Sequence, residues 1–169
     1  MKYKLDKIKK IINDLTQKKI QIAIAESCTG GYISHMFTNI SGASKVFERG
    51  VVSYSNEAKI EVLNVKSETI NKYGAASAQV ARQMAENIRN LSKVDIGVGI
   101  TGIAGPTGGT EEKPIGLVYI GFSTQMDTLI KKFIFKTDRI SFKKKVLDEI
   151  ILLLNDYLKE LKKSVNKKL

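Results

Sequence analysis

Cysteine and histidine each occur once in this 169-residue chain, proline twice and tryptophan not at all. A single cysteine, Cys28, leaves no internal disulfide to form, which fits a reducing cytosol. No cluster of His, Cys, Asp and Glu has metal-ligand spacing, so neither a metal site nor any other cofactor is expected. With His35 the lone imidazole, a Ser–His–Asp triad has only one residue to be built on. Every apolar run is too short to span a bilayer, and Met1–Asp6 leads into a charged amphipathic pattern instead of a signal peptide. A cytoplasmic setting without a membrane partner follows as the expectation.

What the chain has in quantity is aliphatic residues and lysine. A hydrophobic content of 43% over this length suffices for one sizeable core, so residues 1–169 are expected to form a single domain. The net charge of +11 would suggest nucleic acid if it were spread evenly. It is not: residues 1–19 and 131–169 hold 18 of the 24 lysines and Arg139 against seven acids, a balance of +12, whereas residues 20–130 sum to −1. Both terminal segments are amphipathic, with Leu5, Ile8, Ile11, Ile12 and Leu15 on one side of the first and Val146, Leu147, Ile150, Ile151, Leu154 and Leu158 on one side of the last. Lysine on the outer face of such helices is ordinary solvation, and no aromatic side chains interleave with arginine for base stacking. Specific nucleic-acid binding is therefore not expected.

Along the chain the pattern alternates between helix and strand. A helix over 4–18 precedes a short apolar run at 20–26, which reads as a strand buried on both faces. A helix from about 29 to 38 follows, then a strand from Val46 to Tyr54 that Gly50 interrupts as a bulge or a point of close approach. Ser55 or Asn56 caps the next helix, a short helix near 67–73 ends at Gly74, and Ser77 caps a stronger one. Val94–Ile103 is a third buried strand, while Ile115–Phe122 and Leu129–Phe135 form a hairpin before a last helix from about 139. Helix-length crossovers between the first three strands predict an α/β fold, a three-layer α/β/α sandwich on a mixed, mainly parallel sheet.

Ligands of such sheets bind beyond the carboxyl ends of the strands. Three strand ends here carry useful groups: Ser27 after the first, Tyr54 with Lys59 after the second, and Thr101-Gly102 with a glycine-rich loop after the third. Lys59 falls in the first turn of a helix, where the dipole and partial burial both disfavour its charge, and a neutral lysine is a general base for a serine hydroxyl. Tyr54 is placed to relay a proton or orient that lysine, or else packs at the sheet edge. Cys28 and His35 form a rival pair, yet two helical turns, about 10 Å, separate them, and Cys28 fits better as a small buried residue. Gly97-Val98-Gly99-Ile100-Thr101-Gly102 matches a dinucleotide-binding pattern in letters only, since its glycines lie inside a strand and no helix follows. The loop through Gly105 to Gly109 can offer backbone N–H groups to a phosphate or carboxylate, or simply turn the chain into the next strand.

Ala25-Glu26-Ser27-Cys28-Thr29-Gly30-Gly31, Gly50-Val51-Val52-Ser53-Tyr54-Ser55-Asn56-Glu57-Ala58-Lys59, Thr101 to Gly109 and Lys113-Pro114-Ile115-Gly116 together resemble the CinA C-terminal domain family, over about residues 5–163. The resemblance implies the same three-layer sandwich and the activity of the family's characterised members, deamidation of nicotinamide mononucleotide to nicotinate mononucleotide and ammonia in pyridine-nucleotide salvage. It implies Ser27 as nucleophile, Lys59 as base and Tyr54 as assisting residue. Backbone groups at Thr29, Gly30 and Gly31 would then steady the oxyanion, and Thr101, Gly102, Gly105 and, more weakly, Arg139 would hold the ribose phosphate. The partner expected is this small-molecule nucleotide, in a homo-oligomer as the family often forms. The nucleotide pyrophosphatase activity of longer relatives, carried by a molybdopterin-binding-like domain, is not expected of these residues. A non-catalytic nucleotide- or partner-binding module of the same fold is the alternative.

Overall fold

Every residue of Ile22–Glu26 is buried, because side chains alternate across a strand that has helices on both sides. Ile22 and Ile24 enter one core and Ala23 and Ala25 the other. In the computed structural model, which describes residues 2–166, this strand (β1) lies between β2 (Phe47–Val52) and β3 (Ile96–Gly102), parallel to both. β4 (Leu117–Ser123) and β5 (Thr128–Ile134) continue the sheet as an antiparallel hairpin, giving the order β2-β1-β3-β4-β5. Helices α1 (Lys2–Lys18), α2 (Tyr32–Thr38) and α6 (Arg139–Asn166) cover the face with the larger core. The opposite face carries α3 (Asn56–Leu63), α4 (Ser67–Tyr73) and α5 (Ala78–Ser92). This is the three-layer sandwich with a mixed, mainly parallel core that the alternating pattern predicts.

Local chemistry sets most of the boundaries. The Ser55 side chain accepts the Ala58 N–H at 2.9 Å and Ser77 accepts that of Val80, so both expected caps are in place. Asn64 and Lys93 close α3 and α5 in the left-handed region. α2 begins at Tyr32, later than the expected 29, because the chain is still turning at Gly30 and Gly31, whose φ values of 59° and 86° suit glycine. β2 ends at Val52, short of Tyr54, as Ser53–Ser55 leave the sheet to cap α3. Gly50 marks a close approach: a side chain there would meet Ser34 of α2, and the irregularity in pairing lies earlier, between Phe47 and Arg49.

The apparent dinucleotide pattern has a packing origin. Side chains at Gly97 and Gly99 on β3 and at Gly121 on β4 would run into the backbone of α5 at Ala81 and Ala85, and Gly99 pairs directly with Gly121 across the strands. Their bareness lets α5 lie close on the sheet. The lysine-rich termini are also brought together, as α1 and α6 lie side by side with the Lys4 ammonium 2.6 Å from the Asp148 carboxylate. Ile8, Ile11, Ile12, Leu15, Val146, Leu147, Ile150 and Leu154 point inward, so the basic charge sits on the outside of one layer. Among the described residues no helix is long and apolar enough to cross a membrane.

Candidate active site

Because β1, β2 and β3 are parallel, their carboxyl ends open at one end of the sheet. The register pairs Glu26 with both Val52 and Ile100, and the Ser53 N–H donates to Glu26 O while the Ser27 N–H donates to Ile100 O. Ser27 is thus held between Ser53 and Thr101, one residue beyond the sheet, where a cavity of about 430 Å³ opens. Ser27, Tyr54, Lys59, Thr101, Gly102, Gly105 and Arg139, all expected at the site, line it.

Lys59 is only 1% exposed, yet its head reaches the cavity floor. Its Nζ lies 2.9 Å from Ser27 Oγ and 3.0, 3.3 and 3.2 Å from the carbonyl oxygens of Ser53, Tyr54 and Ser55. The chain leaving β2 therefore wraps around the amine before it becomes α3. Burial pushes the lysine below its ordinary pKa of 10.5, opposed in part by the Glu57 carboxylate. The result is an amine that loses its proton more readily than a surface lysine, in hydrogen-bonding contact with a hydroxyl. That pair can move a proton from Ser27 and return it to a leaving group.

The rival nucleophile is disfavoured by its surroundings. Burial pushes the Cys28 thiol up to about 12, so it is protonated at neutral pH. His35 is exposed on α2 and pairs with the Asn39 amide at 3.0 Å.

Three expectations are revised by the geometry. The side chain of Tyr54 does not orient Lys59: the residue is 62% exposed, its hydroxyl accepts from Arg139 Nη1 at 3.2 Å, and only its backbone carbonyl meets the lysine. Thr29, Gly30 and Gly31 lie outside the cavity wall, and the Gly30 N–H is already donated to Ser27 O at 3.0 Å. Cys28, not those three, stands beside Ser27 on the wall. Thr101 lines the cavity, but its hydroxyl is donated to the Ala75 carbonyl at 2.8 Å, so it fixes the 74–76 segment against β3.

Sequence reasoning missed two carboxylates that hold the frame. Glu26, fully buried, points to the face opposite Ser27, where Oε1 accepts from the Ser34 N–H (2.8 Å) and hydroxyl (2.6 Å) and Oε2 from the Ile33 N–H (3.1 Å). It satisfies the open end of α2 and so anchors the turn that carries Ser27. Its place as a carboxylate at the end of a buried strand, a few residues before two glycines, was the available signal. Asp138, immediately before α6, accepts from the backbone N–H groups of Ile140 and Ser141, and hydrogen bonds from the Ser141 side chain and backbone, then from Ile140, hold its carboxyl down at about 2. Glu26→Ala is expected to lower the unfolding free energy by about 3 kcal/mol, since it leaves two backbone donors and a hydroxyl without an acceptor. Urea denaturation followed by circular dichroism checks it.

The model of the CinA C-terminal domain family matches residues 5–158. A competence-damage inducible protein from Acetivibrio thermocellus is 55% identical over 118 residues, 70% of this chain and 29% of that protein. The CinA-like protein of Kosmotoga olearia is 49% identical over 129 residues, 76% of this chain and 31% of that protein. The chain thus spans about a third of the length of the curated relatives it matches. Among solved structures, the competence/damage inducible protein CihA from Agrobacterium tumefaciens superposes with a TM-score of 0.85 at 36% identity, covering 90% of this chain and 95% of that one. A competence-damaged protein (CinA) superfamily member from Klebsiella pneumoniae superposes with a TM-score of 0.89 at 26% identity, over 93% of this chain and 98% of that one.

Proposed function

We propose, from the premise that this chain belongs to the CinA C-terminal domain family, that its cavity hydrolyses the carboxamide of nicotinamide mononucleotide to the carboxylate and ammonia. The observation that carries this reading is the 2.9 Å contact between Ser27 Oγ and the buried amine of Lys59 at the end of three parallel strands. Supporting it, no acidic side chain lines the cavity among the described residues, while Lys113 and Arg139 do, which suits an anionic substrate.

In this mechanism neutral Lys59 takes the proton of Ser27 as Oγ bonds to the carboxamide carbon. The Cys28 backbone N–H, next to the nucleophile, would donate to the developing oxyanion, a kind of donor worth roughly 3–4 kcal/mol in the transition state. Collapse breaks the C–N bond, and the Lys59 ammonium returns its proton to the departing amine. Water, deprotonated by Lys59, then cleaves the acyl-enzyme and frees Ser27. The pyridinium ring withdraws electrons from the carbonyl throughout, and the exposed Tyr54 ring offers it a face to stack on.

The test is ammonia release from nicotinamide mononucleotide by the wild type, with chelator present. Turnover at a saturable rate is the expected result. A folded protein that binds the nucleotide without releasing ammonia would instead indicate the non-catalytic module.

A further inference from the structure

Lys113-Pro114-Ile115-Gly116 has no part in the Ser27–Lys59 chemistry, yet Lys113 lines the same cavity. Its ammonium donates to the Tyr73 carbonyl at the end of α4, forty residues away. Room for it exists because Gly74 has no side chain: a Cβ there would stand 2.5 Å from Lys113 Nζ. The other side of Lys113 is equally defined. The Thr110 N–H donates to Lys113 O at 2.9 Å and the Lys113 N–H to Thr110 Oγ1 at 3.1 Å, a tight turn that leaves Glu111 and Glu112 exposed and off the cavity wall.

The cavity's charges are therefore divided. Arg139 stands with Tyr54, whose hydroxyl it holds. The part of the wall made by residues 74–76, the loop after β3 and Lys113 has Lys113 as its one charged side chain among the described residues. That stretch carries Thr101, Gly102 and Gly105, three of the four residues expected to hold the ribose phosphate, while the weaker fourth candidate, Arg139, stands with Tyr54. Thr101 has already donated its proton there, and glycine N–H groups carry only partial charge. A phosphate monoester is close to doubly negative at neutral pH and needs a cation in such a cleft. An ammonium with one N–H on a carbonyl keeps two to donate.

We propose that Lys113 is a binding residue for the phosphate of the substrate, held on the cavity wall by its clasp on the Tyr73 carbonyl over Gly74. The identity of that substrate rests on the amidase reading above. The test measures calorimetric dissociation constants in the Ser27→Ala protein, which cannot turn over in that reading, with Lys113 intact, changed to Met or changed to Arg. The ligands are nicotinamide mononucleotide, its phosphate-free riboside and ribose 5-phosphate. Lys113→Met should weaken the mononucleotide about ten-fold or more and leave the riboside within about two-fold, with Lys113→Arg recovering part of the loss. Equal weakening of both would mean that Lys113 only holds the loop in place, and unchanged binding of both would remove it from the site; either result overturns the proposal. Ribose 5-phosphate decides the matter if the mononucleotide does not bind and the amidase reading itself fails. Its binding should then be lost in Lys113→Met, whereas retained binding, or none to the Lys113-intact protein, overturns the proposal.

Discussion

Ser27→Ala is expected to reduce ammonia release to background, a fall of about a thousand-fold or more in kcat, with circular dichroism and unfolding midpoint close to wild type. The hydroxyl lines a preformed cavity and supports no part of the fold: its side-chain partner is Lys59, which keeps three carbonyl acceptors without it. Cys28→Ala in the same assay should retain most activity, because the thiol is buried and protonated. The reverse pattern, loss with Cys28→Ala and retention with Ser27→Ala, would mean that the nucleophile is misassigned. Substrate binding should survive in Ser27→Ala, since the phosphate and ring contacts are made elsewhere on the wall, so the loss should fall on kcat with KM little changed.

Lys59→Met should be as damaging to turnover, again about a thousand-fold, and combining it with Ser27→Ala should add little, because the two residues act as a unit. Its effect on stability is small by comparison. Methionine matches the apolar stem and removes the cost of burying an amine, but it leaves the Ser53 and Tyr54 carbonyls without that donor, so unfolding free energy should stay within about 1 kcal/mol of wild type. An active-site change that abolishes activity while sparing the fold separates catalytic loss from structural damage. Lys59 also sets the expected pH dependence. With its folded-state pKa below 10.5, the unfolded chain binds more protons than the folded one between those two values, so stability rises with pH across that window. The penalty for burying the charged amine is full below the folded pKa and gone above 10.5. Turnover follows the same group: kcat/KM should rise with pH as Lys59 loses its proton, and that limb should be absent from the residual rate of Lys59→Met. Stopped assays and urea midpoints across pH 6–10 read both effects.

Most of the frame was legible in the residues. Strand and helix periods, the caps at Ser55 and Ser77, and the stop at Gly74 depend on neighbours a few positions away, so a short window of sequence carries them. The serine at a strand end and the lysine in a helix's first turn were legible for the same reason. The 2.9 Å between them, across 32 residues, depends on the register of β1 against β2 and on the path of Ser53–Ser55 around the amine, which no local pattern encodes.

The rest was decided by which face each side chain meets. Consecutive residues at the end of β1 point to opposite sides, so Glu26 anchors α2 while Ser27 faces Lys59, but only the packed layers show that α2 lies behind and the cavity in front. For the same reason the glycines after Ser27 turn away from the cavity they were expected to line, and Tyr54 gives Lys59 its carbonyl and Arg139 its hydroxyl. The sequence by itself determined the family, the layered fold, and the serine and lysine at the strand ends, because these follow from short-range pattern and motif. Only the tertiary structure decided which donors remain free at the cavity wall, because hydrogen bonds between distant segments use up some groups, such as the Thr101 hydroxyl, and leave others, such as two N–H groups of Lys113, available.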